Sequence, residues 1–217
     1  MIKIGMEELE RARQLQEEAA KLHLPSPPVA SFKISRRERN GEEKDLIHAK
    51  SNSYLRNAYN MLTHLLTFAS DEVITSSYFG DGMISYNNIS GVFSAFPPTR
   101  YSGNELTISL RLGTNGAADT LDDNTLDEIP TTDWIGSLSR YSTFDESSRR
   151  FITLITLNMT NRSNTTYELR ESGIYITAAS VSAWHLMIRD TFPAVTFAPD
   201  DKITFTYQLE VYYPSNN

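Results

Sequence analysis

The 217-residue sequence has no cysteine. That excludes a disulfide framework and any thiolate metal site, and it leaves compartment unreadable from redox chemistry. Histidine is scarce: His23, His48, His64 and His185 form no His-x-x-x-His pair and no His-Glu-x-x-His motif, so no zinc site is expected. No apolar run approaches the roughly 18–20 residues of a membrane-spanning helix. The opening Met-Ile-Lys-Ile-Gly-Met-Glu-Glu reaches charge too early for a signal peptide. There is no Gly-x-Ser-x-Gly elbow and no Gly-rich phosphate loop ahead of a helix; Gly80-Asp81-Gly82 reads as a turn between strands. Net positive charge is lacking too. The formal charge of −7 favours solubility and argues against binding to a phosphate backbone. These absences predict a soluble protein with no membrane or nucleic-acid partner, and they single out no catalytic, metal or cofactor site. Its 40% apolar content is enough for a sizeable core.

The most regular pattern present lies at the C-terminal end. In Lys202–Tyr213, Ile203, Phe205, Tyr207, Leu209, Val211 and Tyr213 alternate with Thr204, Thr206, Gln208 and Glu210. Alternation with period two predicts a strand with one face on a core and one in water. Further strands are expected at 73–79, 90–95, 105–111, 151–159, 167–177 and 183–189, punctuated by glycines. Strands without interleaved helices predict a mainly β chain built as an antiparallel β-sandwich.

Three zones precede or join that region, with a domain boundary expected at 44/45. A charged helix over Met6–Leu22 carries a thin apolar stripe that includes Leu9, Leu15 and Leu22. Such a helix is marginal alone and needs a surface, either its own domain or a neighbouring subunit. Residues 23–43 read as an extended arm, opened by Pro25, Pro27 and Pro28 and carrying Lys33, Arg36, Arg37 and Arg39. A second helix is expected over 43–68, from the spacing of Leu55, Ala58, Tyr59, Leu62, Leu65 and Leu66.

The loop Gly113–Trp134 holds Asp119, Asp122, Asp123, Asp127, Glu128 and Asp133 without a single Lys or Arg. Three readings stand for it: a bound cation, a solvated loop, or an acidic surface for the basic arm of another copy. Candidate interface residues are therefore Leu9, Leu15, Leu22, Arg36, Arg37, Arg39, Asp122, Asp123 and Asp127. Tyr101, Trp134, Tyr141, Trp184 and Tyr212 suit either a sugar platform or a sandwich core and rim. A glycosidase would need a carboxylate pair that the sequence does not single out. Asn88, Asn158, Asn161 and Asn164 open formal glycosylation sequons.

Two stretches carry a family likeness. Thr165-Thr-Tyr-Glu-Leu-Arg-Glu-Ser-Gly-Ile-Tyr175 is followed by Met187-Ile-Arg-Asp-Thr-Phe-Pro-Ala-Val-Thr196 and Asp200-Asp-Lys-Ile-Thr-Phe-Thr-Tyr207. Together they resemble the β-sandwich domain of small structural proteins of tailed bacteriophages, including tail-collar and fibre-attachment domains. The Asn52–Leu66 stretch is similar to the helix that precedes such domains. The likeness covers about Lys50–Tyr213 and is specific in its last third; it brings no catalytic residues. It implies a virion subunit at the head–tail neck, tail or capsid surface, assembled in the host cytoplasm with other virion proteins and with copies of itself. A carbohydrate-binding adhesion module is the alternative reading, and a sandwich glycosidase the third. Within these stretches, Gly173 predicts a close approach or bulge and Pro193 a corner between strands.

Overall fold

A computed structural model describes residues 1–22, 28–38, 41–51, 73–76, 80–83, 106–117, 126–130, 132–178 and 185–212. The elements are β1 (Ile2–Ile4), α1 (Met6–Lys21), β2 (Val29–Arg37), β3 (Glu43–Lys50), β4 (Val73–Ser76), β5 (Gly80–Met83), β6 (Leu106–Gly113), β7 (Trp134–Asp145), β8 (Arg150–Asn161), β9 (Tyr167–Ala178), β10 (His185–Phe197) and β11 (Lys202–Tyr212). The chain is mainly β with one N-terminal helix. A six-stranded sheet has the order β1-β3-β2-β11-β8-β7, and a three-stranded sheet the order β10-β9-β6; β4 and β5 form a hairpin. In the larger sheet β1 pairs with β3 in parallel and every other pair is antiparallel, so that sheet is mixed. The chain divides into two compact units. One comprises Met1–Asn52, Pro130–Tyr167 and Val195–Asn217; the other comprises Ser53–Ile129 and Glu168–Ala194.

In the first unit, one row of side chains shows how the sheet is built. Register aligns Ile2, Ile47, Ile34, Phe205, Leu157 and Leu138 across all six strands. The four central members are buried, and Phe205 stacks on Phe32 at 5.4 Å between ring centroids. The alternation read in β11 holds at Ile203, Phe205 and Tyr207, all buried. It fails at Glu210, which was expected in water and is 2% exposed. Helix α1 packs over β11, β2 and β3 and covers that end of the opposite face. Gly5, at φ 62°, starts the helix in the left-handed region that glycine tolerates best. Glu7 and Glu8 lie in its first turn and Lys21 in its last, the order that suits the helix dipole.

Several expectations are corrected here. Over Val29–Arg37 the extended arm is instead an interior strand, held between β3 and β11. Ala30, Phe32 and Ile34 alternate with Ser31, Lys33 and Ser35, and both faces of the strand are covered. The helix expected from residue 43 is a strand over Glu43–Lys50, which places His48 on β3; residues 52–72 lie outside the described residues. Gly80–Met83 is a strand rather than a turn. Pro193 marks no corner: β10 continues through it to Phe197, as an edge strand of its sheet can, because no ladder N–H is needed on the open side. The strand expected at 90–95 falls outside the described residues.

Candidate interaction surface

The first unit fixes its helix by a buried ionic cluster. Arg13 Nε donates to Glu210 Oε2 at 3.0 Å, and its Nη2 donates to Oε1. Gln16 Nε2 donates to the Glu210 carbonyl at 3.2 Å. From β8, Arg150 donates to Gln16 Oε1 (2.7 Å), Glu17 Oε1 (2.8 Å) and the Arg13 carbonyl (3.2 Å). The Arg150 guanidinium also lies over the Tyr212 ring, 5.6 Å from its centroid. The carboxylate hydrogen bond raises the Arg13 pKa further and keeps that side chain charged. Buried charges of this kind persist only when each finds a partner, so α1 is tied to its own sheet at this cluster. Leu9 is fully buried in the same chain, whereas Leu15 and Leu22 are 55% and 69% exposed.

The basic residues of β2 are likewise engaged locally. Lys33 pairs with Asp45 at 2.8 Å, and Ser35 donates to the same carboxylate. Arg36 donates to the Thr196 carbonyl and lies 3.6 Å from Asp201. Arg37 is exposed, and Arg39 lies outside the described residues. Lys33 and Arg36 are therefore held within their own chain, on a strand of the sheet rather than on an extended arm.

The acidic loop belongs to the second unit as far as Ile129, and Glu171 of β9 holds it at Asn115 and Asp127. This fully buried carboxylate accepts the Asp127 N–H at 2.7 Å and the Asn115 N–H at 3.3 Å on Oε1. Arg189 donates to Oε2 from Nε and Nη2, both at 2.9 Å, and also holds the Ala117 carbonyl. A Cβ on Gly113 would sit 2.4 Å from Glu171 Oε1, so that glycine makes room for the carboxylate. Gly173 behaves as its sequence context predicts: a Cβ there would meet Leu186 at 2.5 Å. Tyr175, two residues on, receives the Leu126 N–H on its hydroxyl at 2.9 Å. Burial first, and then the nearby Glu128 charge, push its phenol well above the usual range. Arg111 packs over the ring at 4.9 Å and forks onto Glu128 at 2.9 and 3.0 Å. Asp127 is exposed and accepts from Thr114, while Asp119, Asp122 and Asp123 lie outside the described residues. Among the described residues no group of three His, Asp or Glu side chains is placed to hold a metal ion.

The described members of the expected interface set are thus spread over α1, β2 and the acidic loop, and Arg39, Asp122 and Asp123 lie outside the described residues. A further exposed surface is the strand β7. This strand ends the six-stranded sheet among the described residues, and every residue from Ile135 to Tyr141 is exposed. Ile135 and Tyr141 (58% and 61% exposed) project from one face, Leu138 and Phe144 from the other; Phe151 of β8 is also exposed. Beside β7 lies an open groove of about 310 Å³, lined by polar residues such as Arg37, Glu43, Asn158 and Lys202 and by apolar ones such as Ile135 and Met159. Thr204 donates to Asn158 there at 2.9 Å. Of the aromatic residues considered as a sugar platform, Tyr141 is exposed, Trp134 and Tyr212 are partly covered, and Tyr101 and Trp184 lie outside the described residues. Asn161 is fully buried, with its amide bonded to the Thr165 and Phe197 carbonyls, so this sequon is closed in the folded chain. Among the described residues no helix is long and apolar enough to cross a membrane. Compared with protein-family models, with curated proteins and with solved structures, the chain matches none.

Proposed function

We propose that the chain is a non-catalytic structural subunit of a tailed-phage particle, made in the host cytoplasm and placed at the head–tail neck, the tail or the capsid surface. Its partners in this reading are other virion proteins and further copies of itself. The observation that carries the proposal is β7, a 12-residue strand open at the sheet edge and bearing large apolar side chains on both faces. Soluble proteins usually shorten, charge or cover such an edge, and leaving it open suits a strand that is completed by another chain. The test is mass spectrometry of gradient-purified particles of the phage that carries the gene. A constant copy number per particle is expected; recovery only from the soluble lysate overturns the reading.

The groove beside β7, which mixes polar and apolar lining, and Tyr141 exposed on that strand favour one second reading, a carbohydrate-binding module. Saturable glycan binding that is lost on Asn158→Ala and Tyr141→Ala would move the role there. A glycosidase requires two carboxylates in one cleft, and the groove presents one among the described residues, Glu43.

A further inference from the structure

The exposed stretch of β7 has a pattern that fits itself. We infer that β7 pairs antiparallel with β7 of a second copy, with Leu138 opposite Leu138, so that two six-stranded sheets become one continuous sheet. The inference rests on the reading of β7 as an assembly edge and names its occupant.

Four observations carry it. The first is symmetry. A two-fold axis normal to the sheet keeps each face continuous and sets each residue opposite one of the same face. With the axis at Leu138, Trp134 meets Ser142 and Ile135 meets Tyr141, so the nine-residue ladder coincides with the open stretch. The second is the apolar spacing. On one face Ile135 lies against Tyr141 of the other copy, flanking Ser137 and Ser139, which also face each other. On the other face the Leu138 pair joins the rows in which Leu157, Phe205, Ile34 and Ile47 are already buried.

The third is charge. Arg140 is the one charged residue between Trp134 and Tyr141, and it makes no ion pair among the described residues. The register sets it opposite Gly136 rather than opposite its own copy. Gly136 has no side chain to obstruct it, and the Trp134 indole lies over that glycine, 3.0 Å from where a Cβ would stand. Each guanidinium is thus set beside the partner's indole, where a cation–π contact can form, whereas a pairing centred on Arg140 would repel. The fourth is that β7 contains no Pro, no Lys and no bulge in its register with β8, so that Arg140 is the one edge-protecting feature within its open stretch, and the register accommodates it.

The cysteine-free chain makes the test direct. Single variants Leu138→Cys and Tyr141→Cys are oxidised at several protein concentrations, with the mass of the reduced and wild-type chains followed by light scattering. The wild-type chain is expected to reach twice the monomer mass as concentration rises. Leu138→Cys is expected to form a disulfide dimer, because opposed Cα atoms in such a ladder lie about 4.5–5.5 Å apart, within disulfide reach. Tyr141→Cys should not, since its two copies would be roughly 20 Å apart along the strands. Cross-linking at Tyr141 without Leu138 overturns the register. A wild-type chain that stays monomeric, or a dimer whose β7 amides exchange as fast as in the monomer, overturns the pairing. A monomer that is nonetheless present in particles removes this inference and leaves the structural role; a Leu138-linked dimer missing from particles removes the structural role and leaves this inference.

Discussion

The two ends of the six-stranded sheet treat the same problem differently. At one end β1 is three residues long, runs parallel to β3 and is followed at once by Gly5 and α1. At the other, β7 runs twelve residues with no cap on its open side among the described residues. Both ends finish the same apolar row, with Ile2 half exposed and Leu138 41% exposed. A short edge offers few backbone groups to a stranger and needs no further protection, whereas a long one is a template. The contrast shows that one fold can close a sheet on one side and leave it extendable on the other.

The contrast can be broken at the centre of the row and sharpened at its ends. Phe205→Asp places a charge among fully buried side chains and should cost more than about 5 kcal/mol, which abolishes the cooperative melt followed by circular dichroism. A native transition in that variant would refute the register of β11. Next, Glu210→Ala strands Arg13 and Arg150 without their shared carboxylate. The expected loss is about 3 kcal/mol, or roughly 10 °C in Tm. An unchanged Tm would mean that α1 is not held by this cluster. Leu138→Lys, at the open end, should alter stability by no more than about 0.5 kcal/mol while holding the chain monomeric at every concentration. Ile2→Lys, at the closed end, should change neither stability nor mass, and a monomeric Ile2→Lys chain would erase the difference between the two edges.

The smallest effect concerns the turn that joins β7 to β8. Asp145 accepts hydrogen bonds from Ser147 and Ser148, which hold its pKa at about 2, below the ordinary 3.8. A depressed carboxylate stabilises the fold above its unfolded value, and that contribution is lost as pH falls through the folded one. NMR titration should therefore place the Asp145 midpoint near 2 and move it upward in the Ser147→Ala/Ser148→Ala double variant. A midpoint near 4 in the parent chain would show that the turn is not closed in solution.

What the sequence made legible follows burial. β11 reads as a strand because one face is in the core, and its alternation holds from Ile203 to Tyr207. It weakens at Leu209, which is partly exposed, and reverses at Glu210, where a helix nearly two hundred residues earlier in the chain supplies the cover. β2 carries the same period-two signal in Ala30, Phe32 and Ile34, hidden by the preceding prolines and by cations that turn out to be paired. β7 could not be read at all. Its apolar residues fall at 135, 138, 141 and 144, a spacing of three, because neither face is buried within the chain and nothing imposes alternation. The Glu-Ser-Gly-Ile-Tyr stretch drew notice as a likeness. Its physical content is the Glu171 clasp, the close approach at Gly173 and the Tyr175 hydroxyl, none of which local pattern can reveal.

The place of β11 also dictates an order of events during synthesis. It lies between β2 and β8, so the strands β1, β3 and β2 join the rest of their sheet only through a segment made after β8, β9 and β10. Contacts between segments so far apart in sequence form slowly. Until β11 emerges from the ribosome, the nascent chain carries an open edge on β2 as well as the one on β7. A pause or truncation before residue 202 should therefore yield an aggregating fragment rather than a half-folded subunit.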